Sequence, residues 1–149
     1  MDIKTELYLG DCRKILKDLS DNSVDFIFTS PPYADQRKNT YGGIPRDKYV
    51  AWFLPITSEL LRVLKPTGTF ILNIKEKVVK GERSTYVLPE WFIKLFTKPG
   101  DWILDPFMGS GTTNIVAQKM SRNSIGIEIV PEYYEREKKA LQPVEKYLL

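Results

Sequence analysis

The sequence predicts an α/β protein: a mainly parallel β-sheet of five strands with helices on both faces. Three observations predict it. Short runs that are apolar on both faces, such as VDFIFTS (24–30) and DWILDPF (101–107), read as strands covered on two sides. Stretches with apolar residues at helical spacing lie between them, so strand and helix alternate along the chain. Asp11, residues 30–33, Asn73, residues 105–111 and Glu128 each close a strand, and strand ends are where such a sheet binds ligands.

In order, ELYLGD (6–11) is a short strand, and CRKILKDLSDN (12–22) carries Ile15, Leu16 and Leu19 at helical spacing. VDFIFTS follows, then a polar, glycine-containing loop over 34–46. KYVAWFLPITSELLRVLKPTG makes a helix through its stripe of Trp52, Phe53, Ile56, Leu60 and Val63, with Pro66 and Gly68 just past its end. Pro55 inside that pattern predicts a kink or a late start. GTFILNI (68–74) is the next buried strand, and LPEWFIKLFTKPG is a short helix stopped by Pro99 and Gly100. DWILDPF is a strand, GTTNIVAQKMS (111–121) a helix and SIGIEI (124–129) the fifth strand. PEYYEREKKALQPVEKYLL reads as a charged amphipathic helix broken or bent at Pro143.

A chain of 149 residues, 42% hydrophobic and 28% charged, suits one core, and residues 1–149 are read as a single domain. No apolar run approaches the roughly 18–20 residues of a membrane span. MDIKTELYLGDC lacks the apolar region of a signal peptide, so a cytoplasmic protein is predicted. There is no histidine, and Cys12 is the only cysteine. That excludes an internal disulfide, argues against a zinc or other metal site, and removes the commonest general base. The net charge of +3 permits nucleic-acid binding without arguing for it. Arg37, Lys38, Arg46 and Lys48 form one basic cluster, and Lys75, Lys77, Lys80 and Arg83 another. Each reads as a solvated loop or as a rim facing phosphates.

LDPFMGSGTT runs from a strand into a helix, with Gly109 and Gly111 letting the backbone turn tightly. It is not a phosphate loop, because no lysine follows Gly111, and Asn114 stands where a dinucleotide fingerprint needs its third glycine. Asp105 would repel a phosphate but suits an ammonium group. Glu128, at the end of the next strand, is placed to take two ribose hydroxyls. A nucleoside with a cationic amino-acid tail and no phosphate satisfies both acids, which points to S-adenosylmethionine.

TSPPY (29–33) and DPFMGSGTT together resemble the amino-methylating DNA methyltransferases, which act on an exocyclic base nitrogen. GDC near the N-terminus and IGIEI after the loop resemble further motifs of that family. The resemblance implies that Ser30, Pro31, Pro32 and Tyr33 hold the target base. Asp105, Pro106, Phe107, Gly109, Ser110, Gly111, Thr112 and Thr113 would hold the methionine end of the cofactor. Glu128 would take the ribose, Asp11 the adenine amine, and Ile129 would lie on the adenine face. No metal is implied.

TSPPY precedes the glycine loop, which resembles the circularly permuted beta class. The implied fold is the Rossmann-like methyltransferase fold. Taken along the chain, the strands are then the family's third, fourth, fifth, first and second, in spatial order 3-2-1-4-5. GTFILNI would lie at an edge, and an unpaired apolar edge predicts a homodimer or a covering helix. Members of this class carry a target-recognition region before the glycine-loop strand. Here only the four residues 84–87 separate Arg83 from the helix LPEWFIKLF, so no separate recognition domain is expected.

The chemistry of TSPPY follows from the target. A base amine is a poor nucleophile because its lone pair is delocalised into the ring. Ser30 Oγ and the Pro31 carbonyl can accept from its two N–H groups and free that lone pair. The prolines fix φ and offer no competing donor. Tyr33 supplies a flat face for stacking an extruded base, worth roughly 1–3 kcal/mol. Cys12 is not in the Pro-Cys setting of a carbon-methylating enzyme and reads as a small packed residue.

Serine at position 30 favours cytosine N4 over adenine N6 by family habit. The expected function is a restriction-modification type DNA methyltransferase acting on an extruded base. Two alternatives remain: a cofactor-binding core that needs a separate DNA-recognition subunit, and an RNA or small-molecule methyltransferase on the same fold.

Overall fold

The computed structural model describes residues 2–32, 43–73 and 89–141. Tyr33, Arg37, Lys38, the basic cluster from Lys75 to Arg83 and Pro143 lie outside the described residues.

The elements run β1 (Thr5–Leu9), α1 (Cys12–Ile15), β2 (Val24–Thr29), α2 (Tyr49–Val63), β3 (Leu64–Leu72), α3 (Pro89–Phe96), β4 (Trp102–Asp105), α4 (Thr112–Lys119), β5 (Asn123–Glu128) and α5 (Pro131–Ala140). All strand pairings are parallel, and the spatial order is β1-β5-β4-β2-β3. With the strands numbered third, fourth, fifth, first and second, this reads 3-2-1-4-5, the order expected from the sequence.

Side-chain alternation along the strands sets the layers. Ile27 and Leu104 join Leu16, Phe53, Ile56, Leu60 and Val63 in one buried cluster, under α1 and α2. Phe26, Phe28 and Ile103 point the other way, against Ile93 of α3 and Ala117 of α4. Neighbouring residues on a strand therefore feed opposite layers, which explains why VDFIF is apolar throughout. Helix α5 packs on β1 and β5. No described helix is long and apolar enough to cross a membrane.

Four expectations need correction. The predicted helix over 12–22 is only one turn of α-helix followed by a 3-10 turn at Leu16–Asp18. Helix α2 does not start late: it begins at Tyr49 and Pro55 lies inside it. The following strand begins at Leu64 rather than at Gly68, so Pro66 and Gly68, past the helix end as expected, fall within β3. An irregularity in the register absorbs them: Val24 faces Leu64, yet Phe26 already faces Thr69. Proline is tolerated there because β3 is an edge strand. Asp25, in the gap, accepts from Lys65 Nζ at 2.7 Å and from Trp102 N at 2.9 Å, tying β3 and β4 to β2. The edge position also leaves β3 half-exposed rather than buried, with Phe70 37% exposed.

The chain runs outward from β2 to β3 on one side and from β4 to β5 on the other, with the N-terminal β1 lying beyond β5. The winding reverses between β2 and β4, so their carboxyl ends define the expected binding crevice.

Candidate functional site

Thr29 and Asp105, the last residues of β2 and β4, meet across that crevice. Thr29 Oγ1 donates to Asp105 Oδ1 at 2.9 Å, and Thr113 Oγ1 of α4 donates to Oδ2, also at 2.9 Å. Phe107 N adds a third bond at 3.2 Å. One carboxylate thus ties two strands, the glycine loop and α4 together. Asp105 is only 5% exposed, and burial pushes its carboxyl up to about 6, against the three donors that hold it down.

The loop itself is closed by backbone bonds. Met108 N donates to Ile127 O at 2.9 Å, and Gly111 N to Met108 O at 2.9 Å. Gly109 and Gly111 take φ of 58° and 72°, a left-handed geometry that favours glycine. A second reason restricts position 111: a Cβ there would lie 1.7 Å from the Glu137 carboxyl carbon.

Glu128 closes β5 at 7% exposure. Its Oε2 accepts from Gly109 N at 2.7 Å, and its Oε1 from Val130 N at 2.8 Å. The acid therefore braces the loops on both sides of itself, and each oxygen keeps one lone pair. Glu128→Gln must turn an amide N–H against one of those two backbone donors. The variant is expected to lose about 1–3 kcal/mol, read as a lower urea midpoint with an unchanged slope.

Asp11 closes β1 and caps α1, accepting from Arg13 N at 2.9 Å. Arg13 also grips its carboxylate through Nε, at 3.0 Å to each oxygen, and holds it below the usual carboxylate range. Cys12 is buried, and burial together with the neighbouring Asp11 charge pushes its thiol up to about 12. It is an inert packing group, as expected.

These strand ends surround a cavity of about 340 Å³. Of the residues singled out from the sequence, Asp11, Ser30, Pro31, Pro32, Pro106, Phe107, Gly109, Glu128 and Ile129 line it. Asp105, Ser110, Gly111, Thr112 and Thr113 do not. Asp105 lies behind the wall made by Pro106 and Phe107, while Ser110 and Thr112 are exposed. Sequence reading missed Gly10, Arg13, Ile44, Trp52, Ile127 and Tyr133, all of which line the cavity. Trp52 was legible only as part of an apolar helical stripe. Tyr133 follows Glu128 closely on the first turn of α5, a proximity that could have flagged it. No group of three or more metal-ligating side chains occurs among the described residues.

A family model described as DNA methylase matches residues 24–88 and 85–139. M.PvuII, a type II methyltransferase of Proteus hauseri, is 38% identical over 82 residues, which are 54% of this chain and 24% of that protein. YubD of Escherichia coli strain K12, named as a methylase, is 26% identical over 207 aligned positions, covering 92% of this chain and 90% of YubD. The chain spans about a quarter of the length of the first curated relatives it matches, 24% of M.PvuII and 22% of M.XycI. Among solved structures, the cytosine-N4-specific PvuII DNA methyltransferase superposes with a TM-score of 0.78 at 21% identity, covering 95% of this chain and 88% of that one. The DNA modification methylase TTHA0409 of Thermus thermophilus, complexed with S-adenosyl-L-methionine, gives 0.70 at 19% identity, with 93% and 94% covered. At these identities the structural likeness is one of fold.

Proposed function

The chain belongs to the N6/N4 DNA methylase family, and on that premise we propose that it moves a methyl group from S-adenosylmethionine to an exocyclic base amine of DNA, cytosine N4 by preference. One observation carries the reading: residues 30–32, the start of the glycine loop and Glu128 line a single cavity. The predicted base-holding and cofactor-holding groups are therefore within reach of one bound pair.

The residues fit the cofactor. The cavity, at about 340 Å³, falls in the range of small-molecule sites. Glu128 keeps a free lone pair on each oxygen for ribose hydroxyls. Ile129, 52% exposed, and Tyr133 offer apolar faces for the adenine beside Asp11. Asp105 sets a negative charge behind the Phe107 end, where a cationic methionine tail is favoured. When bound, the cofactor supplies a methyl group on sulfonium, already activated for transfer. The protein then has to present the amine in line with it. Ser30 Oγ and the Pro31 carbonyl accept from the amine, while the stacking role that the family resemblance implies for Tyr33 lies outside the described residues. No histidine is needed for this.

The finer assignment is to the permuted beta class, with residues 1–149 forming one catalytic domain and no recognition region between Arg83 and α3. Two observations support it. The family model matches in two pieces that meet at 85–88, and the alignment with YubD needs 207 positions for a chain of 149, so gaps stand opposite this chain. Sequence readout requires groups that reach base edges. A separate recognition subunit is therefore the second reading, with this chain as its cofactor-binding core.

The test is methyl transfer from labelled S-adenosylmethionine to mixed DNA, followed by nucleoside analysis. N4-methylcytosine is the expected product, and Ser30→Ala should slow its formation roughly 10²-fold with cofactor binding unchanged. N6-methyladenine alone would overturn the cytosine assignment. Cofactor binding without transfer would favour the partner-dependent core.

A further inference from the structure

Trp52 is the one large aromatic side chain that helix α2 contributes to the cavity wall. Its ring centroid lies 5.9 Å from that of Phe107, and it also packs on Tyr49 at 5.5 Å and Phe53 at 5.8 Å. Phe53 in turn lies 6.5 Å from Phe107. The ring is thus held by its neighbours rather than left to rotate. A fixed aromatic wall loses little freedom when a ligand meets it.

The two ends of the cavity differ in charge. At one end the Asp11 carboxylate is gripped by Arg13, so the pair is close to neutral. At the other, Asp105 lies directly behind Phe107, whose backbone N–H it accepts, and no basic side chain among the described residues neutralises it. Trp52 belongs to this second end through its contact with Phe107. An acid behind the wall and an indole in the wall both favour a cation there, since the ring face is electron-rich. Core packing alone would account for an apolar side chain at position 52. It does not require the largest and most electron-rich ring at the end of the cavity that carries the uncompensated acid.

We propose that Trp52 is a specificity-determining residue that favours the sulfonium of S-adenosylmethionine over the neutral thioether left after methyl transfer. The inference rests on the methyltransferase reading above. Cofactor and product differ by one methyl group and one positive charge at sulfur, and otherwise offer the site the same groups. Glu128 and the nucleoside end cannot separate them, whereas a cation-selective aromatic wall can. Its consequence is weaker product inhibition.

The experiment is calorimetric titration of parent, Trp52→Phe and Trp52→Leu with S-adenosylmethionine and, separately, with S-adenosylhomocysteine. Trp52→Leu is expected to weaken S-adenosylmethionine about 10-fold and S-adenosylhomocysteine no more than about twofold. Trp52→Phe keeps an aromatic ring against Tyr49 and Phe107 and should fall between parent and leucine. Equal weakening of both ligands, or of neither, would overturn the proposal and leave Trp52 as an apolar wall. Failure of the parent to bind either ligand would instead overturn the methyltransferase reading itself. Thermal melts of each variant identify any loss that comes from unfolding, and the phenylalanine variant then carries the comparison.

Discussion

Asp105→Ala is expected to cost the protein about 3–5 kcal/mol of stability, in addition to whatever it does to ligand binding. An argument from the charge of Asp105 alone would leave the fold of this variant intact. The geometry overturns that. Alanine leaves the Thr29 and Thr113 hydroxyls, 0% and 3% exposed, and the Phe107 N–H without their shared acceptor. Relief of a buried charge offsets only part of the loss. Asp105→Asn separates the two roles. Its amide oxygen can still accept from Thr29 and Phe107, and its NH2 can donate to Thr113 once that hydroxyl turns. The asparagine variant should therefore stay within about 1 kcal/mol of the parent, as read from urea unfolding.

Cofactor affinity in that variant tests the charge. Burial raises Asp105 from 3.8 to about 6, so the parent carries the negative charge above pH 6 and loses it below. Binding of a cationic ligand should strengthen as pH rises through 6 in the parent and stay flat in Asp105→Asn. Parallel pH profiles would make Asp105 a purely structural brace. The sign for stability is opposite to that for binding. Because the folded value is the higher one, the carboxyl favours folding most below 3.8 and loses that advantage as pH rises through 6.

Glu137→Gln is expected to become progressively more stable than the parent as pH rises, by roughly 3 kcal/mol at pH 8.5. Glu137 is 0% exposed on α5, and neither carboxyl oxygen has a hydrogen-bond partner among the described residues. It packs directly on Gly111. Burial raises it from 4.5 to about 7, opposed only by the Arg136 charge. A raised acid contributes its stability below pH 4.5 and loses it as pH rises through 7. Above that, the parent holds an ionised carboxylate whose burial the Arg136 charge offsets only in part. Asp105 titrates in the same direction in both proteins, so it cancels from the difference. Urea midpoints for the pair at pH 5 and pH 8.5 make the measurement. A gap that does not widen with pH would mean that Glu137 finds a partner on ionisation.

Much of the fold was legible in the chain. Runs apolar on both faces, such as VDFIF and WILD, can only be strands covered on two sides, and DPFMGSGTT can only turn where glycine allows it. The order of these units, with Ser30 and Pro31 ahead of the loop, carried the family resemblance and with it the neighbour order of the sheet. Local pattern also singled out the strand ends as the candidate site, because the polar residues interrupt apolar runs there.

What a side chain does at a strand end was decided only by the tertiary structure. Asp105 and Glu128 look alike in sequence, an acid closing a strand, yet one lies behind the cavity wall and the other in it. Whether an acid faces a ligand or the interior depends on donors from distant segments, here Thr29, 76 residues away. Trp52 reads as core on its helix, and reaches the cavity because Phe107, from another element, packs beside it. Glu137 is hidden among the charges of PEYYEREKKA and would pass for solvated, yet the helix turns it onto Gly111, where no side chain stands to keep it away. Periodicity reports which residues share a face. Only long-range packing brings a particular face against a particular glycine, and that contact sets the cost of the charge.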